Sequence, residues 1–354
     1  ALLARGAPQP DLPMDKNLVA SVRDMLIAFP LEYRVFSRLK RAQLGADIPA
    51  FTVAGAAGPP ALQVFERASG EPLTKGIPGL YTKEGYQKAF QASVEKATKQ
   101  LAAEESWVLG VRPIDAKPLA NLTGSTELTN RVRRLYFEEY IKVWDKYIAD
   151  LRIIKMASLE QSLQVARALS AVDSPLAAFM RGVARETTLV QPVGADAGSA
   201  ASKLVEKATG TKKELGALLG QSQADPVAAQ GAPLEAMVDE HFAHIHRLMK
   251  GQPAPIDDIL KLFNEVYVQL AALDSAQKSK TAPPPAGGAA ALKAAAGQQP
   301  EPIRGVLEKL AGVAASQGQA VERGSLNTEL KPISEFCARA VTGRYPFTGS
   351  SKSD

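Results

Sequence analysis

At 354 residues the chain is long enough for two or three globular units, and 58 alanines among its 45% apolar residues favour helix more than they fill cores. A net charge of +5 with 22% charged residues is ordinary for a folded protein, so neither disorder nor dedicated nucleic-acid binding follows. One cysteine, Cys337, excludes an internal disulfide framework and any multi-cysteine zinc or iron–sulfur site.

From Asp15, the positions Leu18, Val22 and Leu26 repeat at helical spacing, and Leu31, Val35 and Leu39 resume the repeat until Gly45. Two helices broken at Pro30 are predicted. Residues 48–65 form an uncharged run of membrane-spanning length, but Pro49, Gly55, Gly58, Pro59 and Pro60 interrupt it. Within residues 47–80 the helical period is lost, and Phe51-Thr52-Val53 and Leu62-Gln63-Val64-Phe65 are β-prone, which predicts a small β element. Thr82 then caps a helix with the stripe Tyr86, Phe90, Val94, Ala97 and Leu101, ending near Trp107.

The strongest periodicity is Leu128, Val132, Leu135, Tyr136, Tyr140, Val143, Trp144, Tyr147 and Leu151, continued by Leu159, Leu163, Ala166 and Leu169. Ser174 is placed to cap, and Pro175 to open, a helix burying Leu176, Phe179, Met180 and Val183. Residues 193–235 are glycine-rich and read as a flexible connection. A helix on Val238, Phe242, Ile245 and Met249 and another from Ile256 to Leu273 are expected to pair as a hairpin. Residues 281–302, with three consecutive prolines and an alanine tract, read as a linker, followed by separate helices on Ile303 to Ala314 and on Ile333 to Val341. The fold class is therefore mainly α, a multi-lobed helical bundle with a small β element. Its expected divisions are a helical domain over 1–192, the connection, and a second helical domain over 236–354.

No phosphate-cradling G-x-x-x-x-G-K-[ST] string and no G-x-S-x-G elbow occurs. His241, His244 and His246 share one predicted helix, but His241 and His246 lie about 140° apart on its wheel and cannot share one ion. His241 and His244 are about 60° apart; no third ligand accompanies them, and flanking surface histidines are the simpler reading. Cys337 falls with Ile333, Phe336 and Ala340 on an apolar face, where a buried thiol acts as a small hydrophobe. Arg131, Arg133 and Arg134 are offset on their helix by Glu138, Glu139, Asp145 and Asp150, which reads as a solvated face rather than a nucleic-acid surface. The aromatics Tyr136, Tyr140, Trp144 and Tyr147 read as a packed seam, with a ligand groove as the alternative.

Several words of the sequence add to this reading. Gly76-Ile77-Pro78-Gly79-Leu80-Tyr81-Thr82, Gly85-Tyr86 and Glu105-Ser106-Trp107-Val108-Leu109-Gly110 come first. Leu135-Tyr136 through Tyr140 and Trp144 to Leu151, then Asp173-Ser174-Pro175-Leu176 with Glu186-Thr187-Thr188-Leu189, and Cys337 with Gly343-Arg344-Tyr345-Pro346-Phe347 follow. In order and spacing they resemble the periplasmic region of the TssM/IcmF family of type VI secretion. The resemblance implies a noncatalytic periplasmic scaffold with Tyr81, Trp107, Tyr136, Tyr140, Trp144 and Pro175 as structural anchors, and no cofactor, metal or nucleic acid. It implies as partners other copies of the scaffold, a TssJ-like outer-membrane lipoprotein and a TssL-like inner-membrane protein. Without an initiator Met the chain reads as an excised or processed product, and the family's β-rich lipoprotein-contacting domain would begin beyond Phe347. The alternative from another class is a periplasmic ligand-binding or metal-dependent enzyme domain using the groove near Trp144 or the pair His241 and His244.

Overall fold

The computed structural model describes residues 15–28, 30–108, 125–190, 233–279, 281 and 287–341. Among these the chain is mainly helical with one two-stranded sheet. It divides into two compact units, one of residues 1–49, 78–141 and 199–237, the other of residues 50–77, 142–198 and 238–354. The expected connection at 193–235 lies outside the described residues except for 233–235.

In the first unit, helix α1 (Lys16–Ala28) is capped by the Asp15 carboxylate, which accepts from the amides of Asn17 and Leu18. Leu18 and Val22 are exposed, so the stripe expected to be buried there finds no cover among the described residues. Helix α2 (Leu31–Arg41) does bury its stripe, Val35, Phe36 and Leu39, and ends on Arg38, Lys40 and Arg41, whose charge complements the helix C-terminus. A tight 3-10 turn, Gly79–Tyr81, follows, and Thr82 ties it to the next helix by accepting from the Gly85 amide and donating to the Gly79 carbonyl. That helix opens with a wide π turn, Gly85–Phe90, and continues as α5 (Gln91–Val108). The wider turn shifts the predicted stripe: Tyr86, Phe90 and Val94 are buried, and Thr98 takes the next buried place instead of Ala97.

In the second unit the β element differs from the expectation in its partner. Val53–Ala57 and Ala61–Val64 are short helices, α3 and α4, because Thr52 caps the first by accepting from the Gly55 amide and Pro59-Pro60 opens the second. Only β1 (Phe65–Arg67) is a strand, and it pairs antiparallel with β2 (Leu151–Ile153), with Phe65 opposite Ile153. Phe51 forms a single bridge to Ile77. Leu151, expected on the long helical stripe, therefore belongs to the sheet, and the long helix α6 (Ser125–Ala149) stops two residues earlier. The first part of α6 belongs to the first unit and its last turns to the second.

Helix α7 (Leu159–Ser170), capped by Ser158, and α8 (Pro175–Thr187) continue the second unit. Gly182 on α8 faces Phe51, whose ring would stand 3.0 Å from an added Cβ. The histidine helix is broken at Phe242 into α9 (Ala236–His241) and α10 (Ala243–Met249). Helix α11 (Pro255–Ser279) buries Phe263, Val266, Leu270 and Leu273 and packs on α7, which buries Val165 and Leu169.

The expected linker at 281–302 is corrected by helix α12 (Gly288–Ala296), which buries Ala289, Leu292 and Ala296. Small side chains suffice there because α12 approaches closely: the Gln269 side-chain carbonyl, on α11, accepts from the Ala289 amide at 3.2 Å. The two helices expected after it are one, α13 (Ile303–Val341), running through Pro332. Its first half buries Ile303, Leu307, Leu310 and Ala314, and Lys309 donates to the Ile153 carbonyl at 2.7 Å. Cys337 is exposed, with Ile333 and Phe336, and not buried as the apolar spacing suggests.

Candidate functional site

The aromatic seam of α6 is where sequence places the anchors. In the first unit Tyr136 is fully buried, its ring 3.8 Å from Phe90 and 5.8 Å from Tyr81, both nearly parallel. Its hydroxyl donates to the Leu80 carbonyl at 2.6 Å, so the polar end of a buried ring is satisfied by the 3-10 turn. Tyr140 is buried beside it, 5.9 Å from Tyr136 and 6.4 Å from Tyr81. The Tyr81 hydroxyl donates to Glu139 at 3.0 Å, and Lys40 pairs with the same carboxylate oxygen. Burial and then the Glu139 charge push the Tyr81 phenol well above its ordinary range, so it stays a neutral donor.

A second cluster joins Tyr86, Arg133 and Glu235. The Tyr86 hydroxyl donates to Glu235, and Arg133 donates both to Glu235 and, at 3.0 Å, to the Tyr86 oxygen. Burial raises the Tyr86 phenol, with the Glu235 bond adding to it. Arg133 is thus a largely covered structural cation, which corrects its reading as part of a solvated face. Its partner lies 102 residues away in sequence, and no local pattern announces such a pair.

In the second unit Trp144 is fully buried, 4.8 Å from Phe51. Tyr147 accepts from the Val53 amide at 2.9 Å, and the Arg67 guanidinium lies over its ring. Arg67 also donates to Asp150 at 2.7 Å, and Ser69 donates to Asp150 through both its amide and its hydroxyl. Burial alone would raise the Asp150 carboxyl; the Ser69 and Arg67 bonds outweigh it and hold it below the usual range. These bonds clamp the strand–turn after β1 to the end of α6. Pro175 is buried as the first residue of α8. Ser174 occupies the cap position, but its hydroxyl makes no capping bond. Trp107 falls near the end of α5, and its side chain lies outside the described residues. The ring faces of Tyr136, Tyr140 and Trp144 are covered by other side chains rather than open as a groove.

The three histidines do not converge. His241 pairs with Asp145 at 2.9 Å, and His246 turns to Thr187 at 2.9 Å and Thr188 at 3.3 Å. Both threonine hydroxyls donate to helical carbonyls of α8, so the His246 Nε2 carries a proton and is the donor toward them. His246 is therefore no surface histidine. Among the described residues no group of three or more His, Cys, Asp or Glu side chains is placed to hold a metal ion. Surface grooves among the described residues of the second unit include three, one of which, of 630 Å³, is bordered by Ser158, Glu160, Asp274, Gln277 and Thr328. None of the three is lined by a histidine or by Cys337. No helix among the described residues is long and apolar enough to cross a membrane.

Burial lowers the His246 pKa from 6.5 despite Asp239, and lowers that of the more exposed His244 as well. A base depressed in the folded state stabilises the fold above its unfolded pKa, and that stability is lost as pH falls through the folded value. Tm is therefore expected to fall as pH drops below about 6.5, and His246→Gln, which keeps a donor toward Thr187, to flatten that slope. Thermal melts across this range decide it; an equal slope in both proteins contradicts the assignment.

The sequence pattern of the IcmF-related family, described as intracellular multiplication and human macrophage-killing, matches residues 1–188, more than half of the chain. The chain belongs to the IcmF-related family. This IcmF-related chain is also 34% identical over 372 aligned positions to the type VI secretion system component TssM1 of Pseudomonas aeruginosa. That alignment covers 100% of the chain and 32% of TssM1, so the chain spans about a third of the length of the curated relative it matches. In fold the IcmF-related chain is similar to a chain of a solved type VI secretion system membrane core complex, with a TM-score of 0.58 over 91% of this chain and 57% of that one. At 14% identity this likeness concerns the fold alone.

Proposed function

We propose that the chain is a noncatalytic scaffold segment of a type VI secretion membrane core complex. It stands in the periplasm and helps link an inner-membrane anchor to an outer-membrane lipoprotein. The observation that carries this reading is the 34% identity to TssM1 along the whole chain. The aromatic seam supports it: the hydroxyls of Tyr81, Tyr86, Tyr136 and Tyr147 are all engaged within their own units, as in a load-transmitting core rather than a reacting site. The partners of this reading are other copies of the scaffold, a TssJ-like lipoprotein and a TssL-like inner-membrane protein.

Two measurements in the bacterium that makes the protein test it. Val172 is 94% exposed, so Val172→Cys in a Cys337→Ser background offers a label site that does not disturb packing. A membrane-impermeant maleimide is expected to react once the outer membrane is opened; reaction only after inner-membrane lysis overturns the periplasmic placement. Affinity purification from solubilised membranes is expected to recover an outer-membrane lipoprotein and further copies of the chain. Their absence overturns the scaffold role.

A further inference from the structure

Every residue of the second half of α13 from Leu326 to Arg339 is exposed, yet the stretch is not polar all round. Leu326, Leu330, Ile333, Cys337 and Ala340 recur at steps of four, three, four and three, the spacing of a coiled-coil seam. Leu330 is 54% exposed, Ile333 59% and Phe336, beside the seam, 67%. The charged residues Lys331, Glu335 and Arg339 fall on the opposite side of the wheel. A helical stretch of this kind draws its stability from burying its apolar face, so uncovered leucines and an isoleucine in register mark a missing partner.

We propose that this seam, residues 326–340 of α13, pairs in parallel with the same seam of a second copy of the chain. The pattern selects that occupant. In a parallel, in-register pair every layer meets itself, leucine on leucine, isoleucine on isoleucine, thiol on thiol and methyl on methyl, with no charge in the seam. At the flanks Glu329 comes opposite Ser334 of the other copy, so no like charges face each other. Pro332, which lacks an amide proton, lies about 120° from the seam centre, and the carbonyl it leaves unpaired is on the solvent side.

Two heptads bury less than the roughly 800 Å² per partner of a standard interface, so the pair is weak between free chains. It forms where copies are already held side by side, which is how this inference rests on the scaffold reading.

The test uses the full chain in its host, in a Cys337→Ser background, with a short bismaleimide as the probe. Ala340→Cys, in the seam, is expected to give a cross-linked dimer, and Glu335→Cys, on the far side, about ten-fold less or lower. Adding Leu330→Asp and Ile333→Asp is expected to abolish the Ala340→Cys dimer with an unchanged circular dichroism spectrum, since both side chains are exposed. Equal cross-linking at 335 and 340, or none at 340, overturns the pairing. If that happens while the chain still co-purifies with the lipoprotein, only the pairing fails; if the chain enters no membrane complex, the scaffold reading fails instead.

Discussion

Replacing Trp144 with alanine is expected to cost about 3–5 kcal/mol. Trp144 is fully buried and packs on Phe51, which itself bridges to Ile77 and lies against Phe179 and Gly182. Removing the indole leaves a cavity bounded by these groups, and they cannot close on it. Phe51 is held by two backbone bonds to Ile77, of 3.0 and 2.8 Å, and Tyr147 by the Val53 amide. The transfer and cavity terms therefore add. A fall in Tm of roughly 10 °C is expected, with loss of near-ultraviolet tryptophan ellipticity. A melting temperature within about 2 °C of the parent means that the indole is open to solvent, and the ligand-groove reading of the seam returns.

Gly85→Ala is expected to have a comparable effect in the first unit for a different reason. An added Cβ would sit 1.9 Å from the Gly79 carbonyl oxygen and 2.8 Å from its carbon, both backbone atoms that no rotamer change can move. Gly79 has no room to retreat, since a Cβ on it would lie 2.2 Å from the Ile48 carbonyl oxygen. Relief must displace the Gly79–Tyr81 turn, which carries the Leu80 carbonyl that accepts from Tyr136 and the Tyr81 ring stacked on Tyr136. The cost is expected to exceed about 3 kcal/mol, above the usual range for overpacking because backbone and not side chain must yield. Gly312→Ala is the matched control: it lies inside α13 with nothing within 4 Å of the new methyl, and alanine there is expected to be neutral or stabilising. Chemical denaturation of the two variants separates the predictions. A Gly85→Ala protein as stable as the control removes the argument for close backbone approach at the G-x-x-x-x-x-G segment from Gly79 to Gly85.

Most of the fold was legible because it is helical, and helices announce themselves locally. The stripes on α2, α6, α8 and α11 mark the buried faces found in the structure, with Val35, Tyr136, Phe179 and Phe263 among the residues they place inside. The burial of Tyr136, Tyr140 and Trp144 on α6 was legible for the same reason, as large apolar groups at steps of three and four. The errors share a cause as well. Ile333, Phe336 and Cys337 have the spacing of a buried face, but spacing states which side would be buried and not whether anything is there to cover it. The alanine-rich α12 failed in the opposite sense, because its burial depends on how closely α11 approaches rather than on side-chain bulk.

By itself the sequence determined helical periods, the cap at Thr82, the buried seam of α6, and the absence of a phosphate loop or disulfide framework; the caps at Thr52 and Ser158 came from the structure. Only the tertiary structure decided that Leu151–Ile153 leaves the helical pattern to pair with Phe65–Arg67, that Arg133 meets Glu235, that Asp150 holds Arg67 and Ser69, and that His246 faces Thr187 and Thr188. Hydrophobic period and capping depend on neighbours within about four residues, so they can be read along the chain. Which distant polar group satisfies a buried one, or which distant strand completes another, depends on a closed three-dimensional path in which every buried donor and acceptor finds a partner, and no local pattern carries that information.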